Sequence, residues 1–233
     1  MKQSSSSSSK IAAEMFYHQG SWALAYLVIV FLIHLVIGIT NSSAGQEGFF
    51  SITYSSTKGF MLVIGIISAF GFLSYYVRNG FTRKDFFTGA ALAALLLSLA
   101  FPVVVGPISM LLRALNGMGE DSTVLQQFGG SWLIALASYG IQIFVFYLVG
   151  WMIGSAFYKY NWIYGLGFIA IGIVLIGILD VLWQFELASL WENFLPPVSL
   201  DVSLPVSFAG SAGFIILGLT LIRLLTRRVT IKL

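Results

Sequence analysis

Apolar side chains gather in six runs separated by short polar connections, at about 22–39, 59–77, 87–105, 132–153, 163–182 and 207–225. Each run approaches the roughly 20 residues with which an α-helix crosses a hydrocarbon core. Stretches such as LAALLLSLAFPVVV and IAIGIVLIGIL do not alternate between apolar and polar positions. A transmembrane β-barrel, whose strands alternate with period two, is therefore excluded. Backbone polar groups in lipid must pair within their own segment, which makes the runs helices. No connection is long or polar enough to fold by itself. The pattern predicts an all-α polytopic membrane protein with six transmembrane helices.

The chain ends are more polar. Ser4 to Ser9 is an unbroken serine run between Lys2 and Lys10, with no apolar side chain to bury, and it reads as a flexible tail. Ile11 to Trp22 reads as a short interfacial helix leading into the first span. The expected organisation is a tail and interfacial helix over 1–21, a six-helix domain over 22–225 and a basic tail over 226–233. Ser42-Ser43-Ala44 resembles a signal-peptide cleavage site, but the apolar core before it is longer than the roughly 7–15 residues of such a leader.

Composition narrows the function. Charged residues make up 9% of the chain, against about 25% in soluble domains, and the mean hydropathy is +0.92. Soluble enzymes, soluble binding modules and disordered proteins are excluded. With Cys 0 and His 2, disulfides, thiol catalysis and thiolate metal sites are out, and imidazole chemistry has little to draw on.

Charge sets the expected orientation. Lys2, Lys10, Arg78, Arg83, Lys84, Lys159, Arg223, Arg227, Arg228 and Lys232 fall on one side of a six-span arrangement, and only Lys58 and Arg113 on the other. The positive-inside rule makes the first side cytoplasmic, with both termini there. Trp22, Tyr75, Tyr76, Trp151, Tyr158, Tyr160, Trp162 and Tyr164 then lie near the cytoplasmic interface, and Trp132, Trp183 and Trp191 near the outer one. Such amphipathic rings favour headgroup depth.

Two segments stand out for function. In the loop from Arg78 to Phe87, Thr82 and Asp85 have capping-box spacing, and Phe81 and Phe86 stand at the positions of a hydrophobic staple. A helix is expected to start at Arg83. The loop reads either as plain positive-inside topology or as a rigid basic and aromatic knob for a cytoplasmic partner. In the outer segment, Trp183, Leu187, Leu190, Trp191, Phe194 and Leu195 recur at helical spacing before Pro196-Pro197. That pattern predicts an amphipathic helix, either lying on the outer leaflet or forming a lid over an exit pathway.

In-span polar residues are His34, Ser68, Ser98, Ser138, Gln142, Asp180 and Thr220. His34 and Asp180 are expected to be wetted helix contacts rather than catalysts. Gly150/Gly154 and Ala209/Gly213 are small-residue pairs that let helices approach closely. The sequence holds no phosphate-binding G-x-x-x-x-G-K-[ST] loop, no H-E-x-x-H and no second in-membrane Asp for an aspartyl protease. A Ser211–His34 nucleophile–base pairing has no support. No catalytic residue and no metal ligand is assigned.

Six spans, a basic N-terminal segment and the stretch Gly80-Phe81-Thr82-Arg83-Lys84-Asp85-Phe86-Phe87 together resemble the permease subunits of type-2 ATP-binding-cassette exporters. In that family a G-x-[ST]-R-K-x-[FY]-[FY] stretch forms the coupling helix, and Gly80, Thr82, Arg83, Lys84, Phe86 and Phe87 match it. The break between the fifth and sixth spans and the basic ending at Arg227-Arg228 also correspond. The size and the lack of a large ectodomain are most similar to small Gram-positive permeases that export phenol-soluble modulins or act in lantibiotic or bacitracin resistance. The resemblance implies two cytoplasmic ATPase subunits, with ATP and Mg on those partners and no cofactor on this chain. It implies a second permease copy or paralogue, an amphipathic or hydrophobic peptide as cargo, no nucleic acid and a bacterial cytoplasmic membrane. Arg78 to Phe87 becomes the ATPase-coupling segment. The alternative is a membrane immunity or sensor protein that binds peptides without transporting them.

Overall fold

The computed structural model describes residues 2–39, 48–116, 131–160, 162–183 and 202–227. These residues are helical apart from short connections, with no strand among them. The helices are α1 (Lys2–Ile39), α2 (Phe49–Ile67), α3 (Leu73–Arg78), α4 (Arg83–Asn116), α5 (Trp132–Lys159), α6 (Trp162–Trp183) and α7 (Leu204–Thr226). A five-residue π-helix, Ser68–Phe72, joins α2 to α3 without a break. Counting α2 to α3 as one rod, six helices among the described residues are long and apolar enough to span a membrane.

Two elements begin earlier than the sequence pattern predicts. The serine run is not a free tail but part of α1. Ser8 Oγ lies 2.7 Å from Thr88 Oγ1 and donates to Asp85 Oδ1 at 3.4 Å, while Ile11, Ala12 and Met15 just beyond are buried. Serine is a middling helix former, so these tertiary contacts decide its state. Likewise α2 starts at Phe49 rather than near 59, which places Lys58 inside the helix. Its polar first half has partners: Ser56 Oγ donates to the Ile52 carbonyl at 2.7 Å, and the Lys58 ammonium lies 4.6 Å from the centre of the Tyr54 ring.

The chain forms two compact units. The first comprises residues 1–61 and 84–144. Along α4 its buried stripe is Phe86, Ala90, Ala93, Ala94, Leu97, Phe101 and Val105, the spacing of one helix face. Where α1 meets α4, a Cβ on Gly89 would come within 2.8 Å of the Ser8 carbonyl oxygen. Further along, Tyr26 stacks on Phe60 at 4.4 Å, and Tyr139 packs against Phe50 and Tyr54. Tyr139 Oη donates to Thr57 Oγ1 at 2.9 Å, and Tyr26 Oη meets Ser56 Oγ at 2.6 Å. A buried hydroxyl needs such a partner in a medium without water.

The second unit comprises residues 62–83 and 145–233. Its core is a backbone-to-backbone seam. A Cβ on Gly65 would collide with the Tyr147 carbonyl, one on Gly150 with the Leu62 carbonyl, and one on Gly154 would lie 2.7 Å from the Ile66 carbonyl. The expected small-residue contact at Gly150 and Gly154 is therefore present, with Gly65 as its third member. The expected pair at Gly213 is not, since a Cβ there meets nothing within 4 Å. Gly210 instead faces Leu182, 2.7 Å from its Cδ1.

Candidate functional site

The segment from Arg78 to Phe87 belongs to both units, Arg78–Arg83 to the second and Lys84–Phe87 to the first. Its first half is a complete helix stop. Asn79 is the C-cap of α3, and Gly80 follows with φ +85°. An L side chain in that region costs about 1–2 kcal/mol. The Gly80 N–H donates to the Val77 carbonyl at 3.2 Å, and the Phe81 N–H to the Tyr76 carbonyl at 3.1 Å. These are the two bonds of a Schellman motif, and the apolar contact that accompanies it is also there. The Phe81 ring meets the Tyr76 ring edge-on at 5.8 Å. Asn79 Nδ2 adds a bond to the Tyr75 carbonyl at 2.9 Å. The signal for this stop is the Asn79-Gly80 pair after a helical run, beside the motif match of Gly80 and the staple position of Phe81.

This elbow is tied to the end of α7. Arg83 Nη1 donates to the Arg227 carbonyl at 3.4 Å, and Arg223 Nη1 donates to the Arg83 carbonyl at 3.5 Å. Lys159 Nζ reaches the Leu224 carbonyl at 3.4 Å. The last carbonyls of a helix carry its negative dipole end and attract cations, at about 0.3–1 kcal/mol each when exposed. Arg83 and Lys159 are thus directed at the last carbonyls of α7, whereas Arg223 reaches from α7 to the first residue of α4.

The remaining residues of the segment separate by exposure. The α4 helix begins at Arg83, as the capping pattern predicts. Thr82 and Lys84 are exposed, while Arg83 and Phe87 are half-buried. Asp85 is 8% exposed and accepts from Ser8; a carboxylate in the first turn also suits the helix dipole. Phe86 is 0% exposed. It is the first member of the α4 core stripe and is not exposed in the single chain.

Of the expected outer lid, only Trp183 is described; Leu187, Leu190, Trp191, Phe194, Pro196 and Pro197 lie outside the described residues. Trp183 is a buried helix contact. Its Nε1 donates to Ser211 Oγ at 2.9 Å, and its ring packs edge-on against Phe208 at 5.1 Å. Ser207 Oγ donates to the Leu182 carbonyl at 2.6 Å, so one face of α7 bonds twice to the end of α6. His34 is 3% exposed and lies 5.5 Å from the Phe49 ring, so it is packed rather than wetted. Asp180 is 8% exposed.

The π-helix had no sequence signal beyond its small residues. Ser68 Oγ donates to the Ile64 carbonyl at 2.9 Å and lies 2.6 Å from Tyr147 Oη. The serine proton goes to Ile64, which leaves Tyr147 as donor to Ser68. A π-turn carries a residue more per turn than an α-helix and recurs where function requires it. Here it separates the glycine seam from the elbow.

No group of three or more His, Cys, Asp or Glu that would hold a metal ion occurs among the described residues. No family model, no curated protein and no solved structure matches the chain.

Proposed function

We propose that the chain is the membrane-spanning permease subunit of an ATP-driven exporter, acting with separate ATPase subunits and a second permease copy or paralogue. The observation that supports this reading is the elbow. A basic connection between two spans is stopped by a Schellman motif, started again at Arg83 and hydrogen-bonded to the end of the last span. A push on Arg83 then passes through its hydrogen bonds to the end of α7 rather than being absorbed by a flexible loop. On this reading ATP and Mg bind the partner, both termini are cytoplasmic by the basic-residue asymmetry, and the membrane is a bacterial cytoplasmic membrane. The apolar composition favours an amphipathic or hydrophobic peptide as cargo. The second reading is an immunity or sensor protein that binds such peptides without moving them. Purification of the chain from its own cells, followed by measurement of stoichiometric ATPase and of ATP-dependent peptide efflux, separates the two. The exporter has both activities and the binding protein neither.

A further inference from the structure

At the elbow end of the second unit, positive charge exceeds what the protein sets against it. Arg83 Nη1 and Lys159 Nζ each lie 3.4 Å from a carbonyl oxygen of α7, that of Arg227 and that of Leu224. Arg223 Nη1 lies 3.5 Å from the Arg83 carbonyl. All three contacts are longer than the usual N–H···O range of about 2.7–3.2 Å. The end of α7 offers the equivalent of about half a negative charge, against three positive ones. Among the described residues of this unit the only carboxylate is Asp180. It stands about 27 Å along α6 from Trp162, at about 1.5 Å per residue. Asp85 belongs to the first unit, where it is buried and accepts from Ser8.

The spacing suits one anion. Leu224 and Arg227 are three residues apart, so their carbonyls are separated by about 4.5 Å along the axis. The Arg83 guanidinium and the Lys159 ammonium are therefore held on one side of α7, within reach of a single group. A phosphate accepts several charge-assisted bonds at about 2.7–2.9 Å and can meet both cations at once. The planar fork of Arg matches phosphate oxygens, and the Lys ammonium adds three rotatable donors. Arg83, Lys159 and Arg223 are each half-buried, which strengthens such bonds relative to open water.

The surroundings favour a lipid as the source of that phosphate. The Lys159 ammonium sits 4.9 Å from the centre of the Tyr160 ring, and Trp162 and Tyr164 just beyond are 68% and 63% exposed. Exposed Trp and Tyr rings at the start of a span mark headgroup depth. Leu224, whose carbonyl Lys159 reaches, is 59% exposed, so an apolar side chain stands open to acyl chains beside the cations. An acidic protein face would be expected at the exposed tip of the elbow, at Asn79 and Gly80, rather than beside these rings.

We infer that Arg83, Lys159 and Arg223 bind the phosphate of an anionic phospholipid in the leaflet at this end of the spans. The inference is independent of export.

The test is native mass spectrometry of the full chain in detergent, titrated with phosphatidylglycerol or with phosphatidylcholine of the same acyl chains. The expected result is one phosphatidylglycerol held at least about tenfold more tightly than phosphatidylcholine, as for a hydrogen bond to a charged group. The preference should vanish in the Arg83→Gln, Lys159→Gln variant. It should persist in the Lys10→Gln, Lys84→Gln variant, which removes the same charge from exposed positions of the first unit. Inorganic phosphate in large excess should leave the lipid bound. Equal retention of the two lipids by the wild-type chain overturns the inference without any variant. Equal loss in both double variants overturns it by showing a general surface charge, and displacement by inorganic phosphate overturns it by showing a site for a soluble anion. An Arg83→Gln, Lys159→Gln chain that keeps the lipid preference but loses a co-purifying protein would assign the cluster to that protein and overturn it as well.

Discussion

Phe81 closes the helix that precedes it: its N–H donates to the Tyr76 carbonyl at 3.1 Å while its ring meets the Tyr76 ring edge-on at 5.8 Å. One residue thus fixes both the backbone and the side-chain geometry of the turn. Phe81→Ala keeps the backbone bond and loses the ring contact, which is worth about 0.5–1.5 kcal/mol beyond area. Insertion and thermal stability should change little. On the proposed exporter function, association with its ATPase should weaken, read by quantitative co-purification.

Gly80→Val tests the backbone half of the same turn. Valine at φ +85° is strained by at least about 1–2 kcal/mol, so the elbow should loosen and cargo-stimulated ATP hydrolysis should fall. Gly59→Val is the control, since a Cβ there meets nothing within 4 Å and its φ is ordinary. Equal activity of the two variants would show that the turn geometry is unimportant.

Phe86→Ala should behave differently from Phe81→Ala. A fully buried Phe truncated to Ala costs about 3–5 kcal/mol, so the effect should appear as lower thermal stability and lower yield. Unchanged stability with selective loss of a co-purifying ATPase would make Phe86 a contact residue instead.

These contrasts mark what the sequence does and does not disclose. The six spans and the start of α4 follow from apolar run length and from Thr82 and Asp85. The early starts of α1 and α2 do not, because the partners of Ser8 and Ser56 are Thr88 and Tyr26, far along the chain. The burial of Phe86 is legible, since it begins the Phe86, Ala90, Ala93, Leu97 stripe at helical spacing, although the charged and aromatic loop beside it points to an exposed role. Spacing alone places Trp183 on an amphipathic face, whereas Ser207 and Ser211, one turn apart on α7, hold the end of α6. The π-helix depends on Tyr147 meeting Ser68, a pairing that local sequence cannot disclose.

The central claim is that the elbow receives an ATPase. The most direct measurement is the ATP hydrolysis that co-purifies with the chain from its own cells, for wild type and for the Gly80→Val, Phe81→Ala double variant. The account predicts a stoichiometric, Mg-dependent ATPase with the wild-type chain and its loss from a variant that is equally expressed and folded. A wild-type chain without ATPase, or a double variant that retains all of it, would contradict the account.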